Sequence, residues 1–147
     1  MNPRIKKIPI YLLILVSLQL NAHDGKTTKV MEEMIKFHDL LVKESPNNFN
    51  VISLRKLLEK GADSKKDTES FKRAIPILEK LGQSKALEEK LNLYAELVEI
   101  LSPTVGHHDK SGANLFYCPM LKKKWIAKGE EVVNPYDKSM RNCGEKL

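Results

Sequence analysis

Apolar residues between positions 30 and 101 recur every three or four positions, and this spacing constrains the fold more than any other feature of the chain. Side chains at such intervals share one face of a helix. The pattern occurs in four successive stretches, interrupted at Pro46, Gly61 and Gly82. Short links between helices favour antiparallel neighbours. We therefore predict an all-α fold in which residues 23–106 form an antiparallel bundle of about four helices.

Residue types at the ends of these stretches indicate where the helices begin. Residues of the types that cap helix N-termini come just before three of the apolar periodic stretches, namely Thr27 or Thr28, Asp67 or Thr68, and Ser84. The second helix is predicted to begin near Phe49. The third stretch contains Pro76, which predicts a kink or a break in that helix.

The helical period is lost after Pro103, where Gly, Asn, Pro and aromatic residues become frequent. This composition favours turns and irregular backbone. We predict that residues 107–147 form an irregular cap, containing both cysteines and packed on the bundle. Within the cap, residues 115–117 and 131–133 are candidates for short strands.

The first 22 residues differ in character from the remainder. Arg4, Lys6 and Lys7 precede a short apolar run that ends near Ala22. A charged start, a short apolar centre and a small residue at the exit are typical of a signal peptide. The run is shorter than the roughly 20 residues that span a bilayer. We expect residues 1–22 to be removed on export, which leaves a periplasmic or secreted protein without a membrane segment.

The charge of the chain gives little reason to expect a nucleic-acid partner. The formal net charge is +6, but three basic residues belong to the predicted signal peptide. The remainder carries 22 Lys and Arg against 19 Asp and Glu, a net charge of +3. Its one dense basic run, residues 122–124, is more typical of a solvated surface than of a nucleic-acid site.

Both cysteines lie in the last third of the chain, at Cys118 and Cys143. In an oxidising compartment two cysteines often form a disulfide. A Cys118–Cys143 bond would close a loop of about 26 residues and add roughly 3 kcal/mol to stability in the chain-entropy model. A metal site is the alternative, and the spacing by itself favours neither.

Each cysteine has a methionine nearby: Met120 two positions after Cys118, and Met140 three positions before Cys143. Residues two apart share a face of an extended chain, and residues three apart share a face of a helical turn. Thiolate and thioether donors prefer Cu(I), whereas thioethers are poor zinc ligands. These four residues are therefore candidate ligands of a Cu(I) site.

Adjacent histidines, His107 and His108, lead into the C-terminal region. Histidines on a loop can bind Cu(II), Zn(II) or Ni(II), although they are also common in plain polar loops. They are predicted as additional candidate ligands. The chain shows no Gly-rich phosphate loop and no recognisable Ser-His-Asp set, and we do not expect it to be an enzyme.

The residues around the sulfur atoms follow an ordered pattern, namely Cys118-Pro119-Met120, Trp125, Asn134-Pro135-Tyr136 and Met140-Arg141-Asn142-Cys143-Gly144. In this order and spacing, roughly residues 112–145 resemble an uncharacterised domain of exported bacterial proteins. That domain is also found fused to periplasmic adaptor subunits of copper and silver efflux pumps. The resemblance implies a periplasmic, copper-related role but brings no established activity. The chain departs from the pattern at Leu121, where the family has a small residue, and at Asp137, where the loop is one residue shorter.

Two functional hypotheses follow from these observations. The first is a periplasmic Cu(I)-binding protein that buffers the metal or passes it to a copper efflux adaptor or another periplasmic copper protein. The second is a disulfide-stapled interaction domain without metal, in which Met120 and Met140 belong to the core. In that case the surface around Trp125 and Tyr136 docks a partner.

Overall fold

The computed structural model describes residues 25–147, and the predicted signal peptide lies outside these residues. Its helices are α1 (Lys26–Val42), α2 (Val51–Glu59), α3 (Lys65–Gln83) and α4 (Leu87–Leu101). Its strands are β1 (Ala113–Cys118), β2 (Lys123–Lys128) and β3 (Glu145–Lys146). Short 3-10 turns occupy Pro46–Asn48, Ser102–Thr104 and Lys138–Met140.

The four helices lie within a few residues of their predicted positions, but their caps differ from the prediction. Ser64 caps α3, with its hydroxyl oxygen accepting a hydrogen bond from the Asp67 amide at 3.0 Å. Ser84 does not cap α4, because its hydroxyl donates to the Glu89 carboxylate at 2.6 Å. Helix α3 runs without a break through Pro76.

The prediction of an all-α fold is wrong, because the C-terminal region forms a three-stranded antiparallel sheet in the order β2-β1-β3. Phe116 in the central strand is paired with Trp125 on one side and with Lys146 on the other. The protein is a mixed α/β domain of four helices and this small sheet. The predicted irregular cap is thus partly regular structure.

Strands β1 and β2 do not show the alternation of buried and exposed residues that is typical of a half-buried strand, which is why the sequence did not predict them in full. Strand β2 buries three consecutive residues, Trp125, Ile126 and Ala127, since it contacts both α1 and α4. The candidate strand at 115–117 does lie within β1. The candidate at 131–133 is wrong, because that segment is a loop whose Val133 carbonyl is bonded to a helix side chain.

One continuous hydrophobic core joins the helices to the sheet. Tyr94 of α4 is fully buried, and its hydroxyl contacts both the carbonyl (3.2 Å) and the amide (3.3 Å) of Ile126 in β2. Tyr136 lies in the loop before β3, and its hydroxyl donates a hydrogen bond to the carbonyl of Lys124, which is also in β2. Two tyrosine hydroxyls thus cover backbone groups of β2 that no neighbouring strand pairs, which blocks further strand addition there.

None of the described helices is long and apolar enough to cross a membrane.

Candidate functional site

Cys118 and Cys143 form a disulfide, which is one of the two alternatives predicted for this pair. Cys118 is the last residue of β1 and is fully buried, whereas Cys143 is half-buried just before β3. Their Cα atoms lie 5.5 Å apart, within the range that a disulfide requires. The bond therefore ties the end of the central strand to the segment that leads into its edge neighbour. With both sulfur atoms bonded to each other, neither is a thiolate that could bind a metal ion.

The two methionines lie in surroundings different from those of the cysteines. Met120 lies in the turn between β1 and β2 and is 74% exposed, whereas Cys118 is 0% exposed. The extended backbone expected after Cys118 is replaced by this turn, which closes at Lys122 with a φ of 53°. Met140 ends a 3-10 turn, half-exposed, with its carbonyl accepting the Cys143 amide at 2.9 Å. The two thiolates that a four-sulfur Cu(I) site would need are thus absent in the disulfide form.

Asn134 organises the loop that carries the second half of the site. It is fully buried, and its amide donates to the Arg141 carbonyl at 2.8 Å. Its side-chain nitrogen donates to the Cys143 carbonyl (3.3 Å), and its side-chain oxygen accepts from the Tyr136 amide (2.9 Å). Because a buried polar side chain must be hydrogen-bonded, this position holds the loop in one conformation.

Arg141 and His38 fasten the same loop to α1. The Arg141 guanidinium donates to the Asn134 carbonyl at 2.7 Å and to the carbonyl of Val42, the last residue of α1, at 3.2 Å. His38, which is buried in α1, donates from Nε2 to the Val133 carbonyl at 2.7 Å. A cation at a helix C-terminus also interacts favourably with the helix dipole. The roles of Arg141 and His38 could not be predicted from the sequence, because the backbone carbonyls that they bond come close only in the folded chain.

Trp125 and Tyr136 form the apolar side of the site. The Trp125 ring stacks on Phe116 with centroids 5.6 Å apart and meets the Tyr136 ring edge-on at 6.4 Å. Burial raises the pKa of Tyr136 well above its usual value, and the nearby Tyr94 and Glu99 act in the same direction. These rings are interior rather than surface features, because Trp125 is fully buried and Tyr136 is half-buried. The predicted docking surface around them is thus largely covered by the protein itself.

The histidine pair lies on the loop after α4, next to the beginning of α3. Nδ1 of His107 is 3.2 Å from a carboxylate oxygen of Asp67, which is buried. The His107 and His108 rings are edge-to-face with centroids 4.4 Å apart. Sequence reasoning identified both histidines but not Asp67, which lies forty positions away. Neither histidine has a described hydrogen bond with the cysteine-containing loop.

Across residues 25–147, no three His, Cys, Asp or Glu side chains lie close enough together to hold a metal ion. Comparison with protein-family models, with curated proteins and with solved structures returns no match. The resemblance to the exported domain therefore stays a prediction based on the C-terminal motif.

Proposed function

We propose that this chain is an exported, disulfide-stapled interaction domain that works in the oxidised form. The observation that carries the proposal is the Cys118–Cys143 bond, because it connects β1 to the loop that closes the sheet. Loop closure of this kind reduces the entropy of the unfolded chain and suits a small domain exposed to an oxidising compartment. Copper buffering through the two cysteines would require that this bond first be reduced.

The roles of the other motif residues support a structural use of the C-terminal region. Asn134, Tyr136 and Arg141 direct their polar groups to backbone atoms of the domain itself. Gly144 lies against the Trp125 ring, where any side chain would overlap with it. A motif that served a metal would leave donor atoms facing a common point, whereas these residues are engaged in internal packing.

The surface proposed for the partner is the turn between β1 and β2, residues 119–122. Met120 at this turn is the most exposed large apolar side chain among the described residues. A flexible, polarisable thioether is well suited to a recognition surface. The exposed Lys122 adds one positive charge, while Lys123 and Lys124 are bonded to α4 through Asn92 and Glu99. We infer a partner protein with an apolar pocket next to carboxylates.

The state of the cysteines is tested by a thiol count on protein purified from the exporting compartment, combined with Cu(I) titration. We expect no free thiol and no Cu(I) uptake before reduction, and two thiols after it. Two free thiols in the isolated protein, with Cu(I) uptake that Cys118→Ala and Cys143→Ala each abolish, would instead establish the copper hypothesis.

The interaction is tested by placing a photo-reactive amino acid at position 120 in exporting cells. Position 52 is the matched control, because Ile52 is 69% exposed but lies on α2. We expect one discrete cross-linked protein from position 120 and none from position 52. Met120→Ala should then weaken binding of the purified partner at least about tenfold, as expected for a central apolar contact. Equal labelling from both positions, or none from position 120, would contradict the proposed surface.

A further inference from the structure

Asp67 holds His107 in a defined orientation. Asp67 is buried in the first turn of α3, with 2% of its surface exposed, and its Oδ2 lies 3.2 Å from Nδ1 of His107. A carboxylate only accepts hydrogen bonds, so Nδ1 carries the proton and Nε2 is left with its lone pair. The His107 side chain is 55% exposed, and its one described ring hydrogen bond is at Nδ1, not at Nε2. A histidine held by a carboxylate in this way is the usual arrangement at metal sites.

His108 provides a second imidazole beside the first. Its backbone has a φ of 58°, a conformation that is uncommon for residues other than glycine. This conformation brings the two consecutive rings together, edge-to-face with centroids 4.4 Å apart. In regular extended backbone, neighbouring side chains would instead point to opposite faces. The left-handed backbone at His108 thus accompanies direct contact between the two imidazole rings.

The loop that carries the histidines is anchored at both ends. The His107 amide donates to the Thr104 carbonyl at 3.2 Å, and the Lys110 amide donates to the Thr28 hydroxyl oxygen at 3.0 Å. His108 also lines an open pocket of about 360 Å³, together with Gly25, Asp63 and Lys110. A metal ion bound by the rings would therefore find a preformed loop with room for water ligands.

We propose that His107 and His108 bind a divalent transition-metal ion through imidazole nitrogens, and that Asp67 is the positioning residue for His107. Water completes the coordination, since no third side chain among residues 25–147 lies in ligand position. Imidazole accepts Cu(II), Ni(II) and Zn(II), and the general order of stability places Cu(II) first. The site is separate from the disulfide and uses none of its residues.

The experiment is a titration of the oxidised protein with copper sulfate. Isothermal titration calorimetry measures the stoichiometry and affinity, and electron paramagnetic resonance identifies the ligand atoms. We expect one equivalent of Cu(II) with nitrogen hyperfine couplings, and we expect the variant with both His107→Ala and His108→Ala to lose that equivalent. Asp67→Asn should weaken binding about 10- to 100-fold, the usual effect of removing a partner that orients a ligand. Glu88→Gln, at an exposed carboxylate of α4, is the matched control and should bind as the original protein does.

Nuclear magnetic resonance spectra of the backbone amides, recorded with less than one equivalent of Cu(II), locate the bound ion without a measurement of affinity. Paramagnetic broadening should centre on residues 106–109 and on the first turn of α3. Unchanged copper uptake in the double histidine variant, or broadening centred elsewhere such as at His23, would overturn the proposal. The double variant also removes the partner of the buried Asp67 carboxylate, so we expect it to melt at a somewhat lower temperature, and its native circular dichroism spectrum is checked at the temperature of the titration. His108→Ala alone keeps the contact between His107 and Asp67 and should still weaken Cu(II) binding. This test leaves the disulfide unchanged, so its failure would not affect the proposed interaction function.

Discussion

At the scale of single residues, Gly144 has the least room for a side chain among the glycines of the protein. A Cβ atom at this position would overlap with the six-membered ring of Trp125 and would lie 3.2 Å from a methyl group of Val132. Trp125 is fully buried and stacked on Phe116, so its ring cannot move aside without disturbing the core. The glycine of the motif is therefore explained by close packing against the single tryptophan.

We expect Gly144→Ala to lower the free energy of unfolding by about 1–3 kcal/mol, as overpacking of a core usually does. The measurement is urea unfolding monitored by circular dichroism. Gly82→Ala is the control, because Gly82 lies in α3 and its added Cβ would come no closer than 3.1 Å to a methyl group of Val51. Alanine favours a helix, which offsets this tighter contact, so the control should lose less stability than Gly144→Ala. Equal losses in the two variants would contradict the role of the Trp125 contact.

The buried tyrosines predict how stability changes at alkaline pH. The pKa values of Tyr94 and Tyr136 are raised in the folded protein, mainly by burial. The unfolded chain therefore loses these protons first, at about pH 10, and the folded chain only at higher pH. Their contribution to stability is complete below about pH 10 and decreases as the pH rises further. Each such tyrosine contributes a slope of about 1.4 kcal/mol per pH unit in this window.

Tyr136→Phe isolates one of these contributions. At pH 8 the variant should be less stable than the original protein by about 1–3 kcal/mol, because the Lys124 carbonyl loses its buried partner. The difference should become smaller above about pH 10, since phenylalanine has no proton to lose. Urea unfolding of both proteins at a series of pH values measures it. A difference that stays constant up to pH 11 would show that the Tyr136 hydroxyl titrates alike in both states.

At the scale of elements, the disulfide holds the shortest strand in place. Strand β3 has two residues, and its pairing with β1 begins at Glu145, two positions after Cys143. A strand of this length contributes few backbone hydrogen bonds of its own. The covalent bond at its entrance therefore limits how far it can move from β1.

We expect the paired change Cys118→Ala and Cys143→Ala to reduce the free energy of unfolding by about 3 kcal/mol, from the entropy of the closed loop. Reduction of the original protein is the control without mutation and should cause a similar loss. Hydrogen exchange should show an equal loss of protection for all amides that exchange only through global unfolding, α2 included, and an additional loss by local opening in residues 129–146. Unchanged protection in residues 129–146 would mean that the bond does not hold β3 against β1.

The helices could be predicted from the sequence because each buries one row of apolar side chains, which recur every three or four positions. Strand β2 could not, because Trp125, Ile126 and Ala127 are all buried between two helices. The choice between disulfide and metal depends on the distance between Cys118 and Cys143, which the antiparallel pairing of β1 with β3 sets. Asn134, Arg141 and His38 each donate a side-chain hydrogen bond to a backbone carbonyl. Every residue has a backbone carbonyl, so the sequence does not indicate which one a side chain will bond.

At the scale of the whole molecule, the helices and the sheet share one core. Trp125 and Ile126 of the sheet belong to the same buried cluster as Phe37 of α1 and Tyr94 of α4. The two regions predicted from the sequence, residues 23–106 and 107–147, are thus not independent units of packing. A core that is shared in this way cannot lose one part without exposing apolar surface on the other.

This arrangement predicts a single cooperative unfolding transition. The fluorescence of Trp125, the only tryptophan, reports on the sheet, while circular dichroism at 222 nm reports on the helices. In urea the two signals should change together, with one midpoint and one slope, as two-state unfolding requires. Ile126→Ala should shift both midpoints equally, by an amount equivalent to about 2–5 kcal/mol, since Ile126 is fully buried between sheet and helices. If fluorescence changed before circular dichroism, the C-terminal sheet would be a separate unit docked on a bundle that is stable by itself.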